Sequence, residues 1–128
     1  MTPADIVQKT YGALKTNDLP TLLSVLSPDI VLHVPGSHPL AGRHEGLAGF
    51  AGFMEKTRAL TDGGETIELI DVLGGETHAA AYCRVTATRA GREPLDNTTV
   101  HLARIADGRI AEIWLHNWDN QSASAFWR

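Results

Sequence analysis

Residues Val100–Trp114, VHLARIADGRIAEIW, decide the fold. Two β-rich runs flank Asp107-Gly108, and an aspartate-glycine pair is the strongest short-range hairpin signal, because both turn positions need positive φ. The hairpin strands are Asn97–Ala106 and Arg109–Trp118. Upstream, Ala79, Ala81, Cys83, Val85 and Ala87 alternate with Tyr82, Arg84, Thr86 and Thr88, the period of two of a half-buried strand. Thr66–Leu73 is another strand, closed by a turn at Gly74-Gly75, and Gly91 turns the chain toward the hairpin. Four strands joined by short turns make an antiparallel meander.

The N-terminal half is different. Thr2-Pro3-Ala4-Asp5 starts a helix with a hydroxyl cap, a proline in the first turn and an early acid. Ile6, Val7, Thr10, Tyr11 and Leu14 give it one largely apolar stripe. A second helix follows Asp18, and Asp29–Val34 is a strand that breaks at Pro35-Gly36. Leu47, Phe50, Phe53 and Met54 mark a third helix over roughly Glu45–Leu60, in which Gly46, Gly49 and Gly52 each cost ~1 kcal/mol against alanine. Packing must therefore hold it. Asp119 caps a short final helix with Phe126 and Trp127. The expectation from these elements is one α+β domain over residues 1–128, a curved antiparallel sheet wrapped around helices.

Composition narrows the function. With 128 residues, 43% of them hydrophobic, the chain can bury a real core. No apolar run approaches the ~20 residues of a membrane span, and MTPADIVQK lacks the apolar centre of a signal peptide, so a cytoplasmic protein is expected. A single cysteine, Cys83, excludes an internal disulfide and a cysteine-rich zinc site. A formal charge of −4 with scattered cations offers no stripe for nucleic acid, and no glycine-rich nucleotide fingerprint occurs. His33, His38 and His44 lack any recognised ligand spacing, so no metal or other cofactor is expected; solvated or helix-capping roles suit the two loop histidines.

The YGALKTND helix end, the HVPGSHPLAG segment, VHLARIADGRIAEIW and the closing WDNQSASAFW together resemble the nuclear transport factor 2-like superfamily, in its SnoaL-like and ketosteroid-isomerase-like branch. The resemblance spans essentially the whole chain. It implies a cone-shaped α+β barrel, a curved antiparallel sheet with its first strand on one edge wrapped around three N-terminal helices, that holds a small, mostly apolar molecule. That scaffold is shared by isomerases, polyketide cyclases, dehydratases, epoxide hydrolases and non-catalytic binding domains. It places His33 where the isomerase carries its aspartate base. His101 falls where the isomerase carries its protonated, oxyanion-binding aspartate, and where the cyclases carry a pocket histidine. The isomerase phenol position falls on Thr10, beside Tyr11. The cyclase aspartate position falls on Leu115, with Asp119 the nearest carboxylate, and the aspartate-arginine-aspartate set of the epoxide hydrolases has no counterpart.

The resemblance therefore implies a cofactor-free acid/base enzyme, an isomerase, cyclase or dehydratase working through an enol or enolate of a small hydrophobic carbonyl compound, polyketide- or steroid-like. His33 would shuttle the proton and His101 would stabilise the oxyanion. Tyr11, Asn117 and Asp119 would orient the substrate, and Phe50, Phe53, Met54, Cys83, Val85, Ile113 and Leu115 would form core or cavity wall. The alternatives are a non-catalytic small-molecule-binding domain and an epoxide or lactone hydrolase. If Ile113, Leu115 and Asn117 face the cavity, Trp114, His116 and Trp118 face outward, an apolar patch that points to a homodimer.

Overall fold

A computed structural model describes residues 1–128. Its elements run α1 (Pro3–Thr16), α2 (Leu19–Val25), β1 (Leu26–Val34), β2 (Gly42–Glu45), α3 (Gly46–Leu60), β3 (Thr66–Gly74), β4 (His78–Ala87), β5 (Leu95–Ala106), β6 (Arg109–Asn117) and α4 (Asn120–Trp127). No helix is long and apolar enough to cross a membrane.

Local chemistry sets most boundaries. Thr2 and Asp5 form a reciprocal capping box at the start of α1, and Asn17 ends that helix in the left-handed conformation. Asp18 caps α2 through the Thr21 amide. Asp107 and Gly108 both take positive φ, as the β5–β6 hairpin turn requires.

The six strands form one sheet in the order β2-β1-β6-β5-β4-β3. Two features differ from the sequence reading. The sheet is mixed, because β1 lies parallel to β6, whereas every other neighbouring pair is antiparallel. In addition, β1 is not the edge strand: Gly42–Glu45 folds back on Val31–Val34 and takes that place. Four residues with little β propensity gave no strand signal. The sheet curves without closing into a barrel, helped by register breaks at Leu69/Asp71 and Arg104/Ile105.

The helices fill the concave face. Ile6 and Val7 of α1, Val25 of α2 and Phe50 of α3 join Ile30, Leu32, Ala81, Cys83 and Ile113 of the sheet in the main core. Of the α3 glycines, Gly49 has a packing reason, since a Cβ there would lie 3.0 Å from the carbonyl carbon of His44; Gly52 faces open space. At the far end, buried Phe126 and Ala123 of α4 pack on Ala87 and Leu95. Gly36, at φ +106°, brings the β1–β2 loop against α4: a Cβ would sit 2.6 Å from the Ser124 hydroxyl, which instead accepts the Ser37 amide at 2.9 Å.

Candidate active site

Between the helices and the concave face lies a cavity of about 110 Å³. Its apolar wall includes Leu14 of α1, Phe50, Phe53 and Met54 of α3, Val85 of β4, and Ile113 and Leu115 of β6. Tyr11, His101 and Asn117 also line it, and Trp127 stands at the α4 end. A second, wider hollow of about 610 Å³ runs between α1, the end of α3 and the start of β3. It shares Tyr11, Leu14, Met54, Glu65 and Ile67 with the cavity and so forms its outer continuation.

The alternation of β5 turns Asn97, Thr99 and His101 inward, and α1 lays Tyr11 over His101. The Tyr11 hydroxyl and His101 Nδ1 share a hydrogen bond, and the two rings stack with centroids 5.9 Å apart. Burial lowers the His101 pKa to about 4 and raises that of Tyr11 well above the ordinary phenol value, with the Cys83 thiol beneath it adding to the rise. Both members are therefore uncharged at neutral pH. Tyr11 is the only hydrogen-bond partner of the His101 ring, yet no sealed side-chain nitrogen or oxygen in the protein lacks a partner; Nε2 thus opens on the cavity. Whichever atom holds the shared proton, the pair leaves one N–H or O–H free to donate to a ligand.

The other polar wall groups divide cleanly. The Thr10 hydroxyl donates to the Ile6 carbonyl, and that of Thr99 to the His116 carbonyl. Asn97 binds the Asp119 backbone on both sides, donating to its carbonyl at 2.7 Å and accepting its amide at 3.1 Å. His38 bonds the Pro35 carbonyl through Nε2 and accepts the Leu40 amide at Nδ1. These residues hold the fold. The Asn117 carboxamide makes no hydrogen bond within the protein, and Glu65 supplies the only carboxyl of the lining. No lysine or arginine lines the cavity.

Three residues singled out in the sequence lie elsewhere. His33 is on the convex face, because Ile30, Leu32 and Val34 take the inward positions of β1. There its Nε2 meets Glu112 Oε2 at 2.6 Å, and its ring stacks on Trp114 at 5.5 Å with an interplanar angle of 7°. The His33 hydrogen bond, followed by that of Arg104, holds the Glu112 carboxyl below its usual range. Cys83 points inward, but α1 covers it; it is fully buried in the core, and burial raises its thiol to about 11. Asp119 caps α4 by accepting the Ser122 amide, which lowers its pKa, and it is solvent-exposed. His44 Nε2 donates to the Leu40 carbonyl at 2.8 Å and its ring packs on Phe53, so His33, His38 and His44 do not converge.

The sequence reading missed Glu65, Asn97, Thr99 and His38 as wall residues. Asn97 and Thr99 share the parity of His101 on β5, a signal that was present. Glu65 precedes its strand, where no periodicity applies.

The SnoaL-like domain profile matches residues 7–113. An uncharacterized protein of Mycobacterium tuberculosis (strain ATCC 25618 / H37Rv) is 34% identical over 124 residues, covering 96% of this chain and 94% of its own. Among solved structures, a protein with cystatin-like fold from Xanthomonas campestris superposes with a TM-score of 0.90 at 31% identity, over 99% of this chain and 98% of its own. Wild-type IdmH of Streptomyces antibioticus, described as a candidate polyketide cyclase, does so with a TM-score of 0.74 at 25% identity, over 98% and 96%. With the helix-filled curved sheet and its apolar cavity already in view, these matches establish that the chain belongs to the SnoaL-like family.

Proposed function

We propose that this protein is an acid/base enzyme for a small, uncharged carbonyl compound, with Tyr11 and His101 stabilising the oxygen of an enol or enolate. The observation that carries the reading is the uncharged Tyr11–His101 pair with one donor left free on an apolar wall. As charge develops on a carbonyl oxygen, a donor in a low-dielectric site is worth far more than in water, and it needs no reorganisation. A neutral imidazole suits this role better than that of a base, since a group titrating near 4 has little affinity for a proton at pH 7.

The lining selects the ligand. Without a lysine or arginine it favours neutral molecules over carboxylates or phosphates. A cavity of about 110 Å³ is comparable to the ~150 Å³ that admits benzene, so it takes one ring, and a larger polyketide-like skeleton would extend into the groove.

The test is isomerisation of 3-cyclohexen-1-one to the conjugated 2-cyclohexen-1-one, followed by enone absorbance. The proposal requires turnover that His101→Leu reduces by ~10²–10³-fold. Tight binding of the ketone with no turnover would instead make the protein a binding module.

A further inference from the structure

With His33 on the convex face and His101 a poor base, the proposed reaction needs another proton acceptor. We infer that Glu65 is that acceptor, the carboxylate that takes a proton from the carbon next to a carbonyl held by Tyr11 and His101. This rests on the acid/base reading of the cavity.

Thr10, Thr99, Asn97 and His38 spend their polar atoms on the backbone, and Asn117 is an amide without useful basicity. Cys83 is sealed in the core with its thiol protonated. Among the lining residues, only Glu65 carries a carboxyl, whose oxygens can accept a proton.

Glu65 follows the Asp62-Gly63-Gly64 turn and directly precedes β3. It belongs to the walls of both the cavity and the outer groove, as does Tyr11. The wall of this cavity of about 110 Å³ thus holds Glu65 as well as the Tyr11–His101 donor, and a one-ring ligand inside it is bounded by both. The groove on the other side lets the carboxyl exchange its proton with water between turnovers.

Burial raises the Glu65 pKa above the ordinary glutamate value, against the opposing effect of the Thr57 hydroxyl, which makes the carboxylate a stronger base. Lys15, Arg58 and Glu68 share the groove, and this mixed set of charges leaves burial as the main cause.

For 3-cyclohexen-1-one the step balances without an oxidant or reductant. Glu65 takes the proton from C2, and the C–H electron pair forms the dienolate, whose oxygen accepts the hydrogen bond from the Tyr11–His101 pair. The neutral Glu65 returns the proton to C4, and the electrons restore the carbonyl with the double bond moved into conjugation.

Glu65→Gln keeps the shape and removes the base. Its kcat on 3-cyclohexen-1-one should fall ~10²–10⁴-fold, with KM and the melting temperature nearly unchanged. The wild-type rate should rise with pH through one inflection above the ordinary glutamate range, absent in Glu65→Gln, and Glu65→Asp should recover part of the rate. A Glu65→Gln enzyme within a few-fold of wild type, or one that keeps the inflection, overturns the assignment. If His101→Leu is inactive while Glu65→Gln is active, only the assignment falls. If wild type is no faster than free acetate at equal concentration, the reading of the cavity falls and the assignment with it.

Discussion

Tyr11 on α1 and His101 on β5, separated by 90 residues of chain, meet through a phenol–imidazole hydrogen bond at the cavity wall. The contact joins the first helix to the centre of the sheet. It also presents one uncharged donor to a mostly apolar cavity, so the packing that stabilises the cone simultaneously builds the site.

Tyr11→Phe tests the pairing. Loss of the phenol leaves His101 Nδ1 unpartnered at a partly buried position, which costs about 1–3 kcal/mol of stability. If the Tyr11–His101 pair supplies the donor to the substrate oxygen, turnover of 3-cyclohexen-1-one should fall at least tenfold as the imidazole loses its orientation. A variant with wild-type rate and wild-type stability would show that the contact does neither.

His33→Ala should leave turnover within about two-fold, because the ring lies on the convex face against Glu112 and Trp114. Its partly exposed contact with Glu112 is worth at most ~1 kcal/mol, so melting should shift by a few degrees. A hundred-fold loss of rate would restore the catalytic role that the sequence alone suggested.

That misplacement shows what the sequence carries. Ile30, Leu32 and Val34 alternate with Val31 and His33, and period two already turns the imidazole away from the core. Positional likeness to the isomerase masked this local signal. For β6 the same parity, together with the resemblance, places Ile113, Leu115 and Asn117 on one face, and all three line the cavity. The helix caps and the DG turn were legible because each is a local hydrogen-bonding or φ requirement. The parallel β1–β6 pairing, the short β2 and Glu65 were not, since each depends on how distant segments pack.

The convex face leads to an association prediction. Trp114 is half-buried beside His33 and His78, and Trp118 is 87% exposed with Leu73 and Tyr82 also uncovered. We propose that a second copy covers this face, removing its indoles from water. Sedimentation should give a dimer at micromolar concentration, and Trp114→Glu should give a monomer that still turns over the ketone. A wild-type monomer at that concentration, or a Trp114→Glu dimer, would refute it.

Acid should destabilise the fold through His101. Its folded pKa of about 4 lies below the ~6.5 of the unfolded chain, so as pH falls the unfolded state binds the proton first. The loss begins near pH 6.5, is complete by about pH 4, and amounts to roughly 3 kcal/mol, while above pH 6.5 the residue adds no pH dependence. Glu65, raised by burial, acts in the opposite sense, which a comparison of wild type with His101→Gln cancels. Chemical denaturation across that window should give a steeper decline for wild type; equal slopes would mean that His101 is not held neutral.

Asn97→Ala removes both hydrogen bonds to the Asp119 backbone and should cost about 2–3 kcal/mol. Because that anchor seats α4, whose Trp127 closes one end of the cavity, the KM for the ketone should rise more than kcat falls. Unchanged stability and KM would show that α4 is held without it.

The most direct measurement is the protonation of His101 itself, followed by nitrogen chemical shifts in protein labelled with ¹⁵N-histidine. A neutral imidazole paired with Tyr11 predicts one protonated and one bare ring nitrogen from pH 8 down to pH 5, with titration only near 4. Two protonated nitrogens below pH 6.5, the behaviour of an ordinary solvated histidine, would contradict the uncharged donor pair on which the proposed function stands.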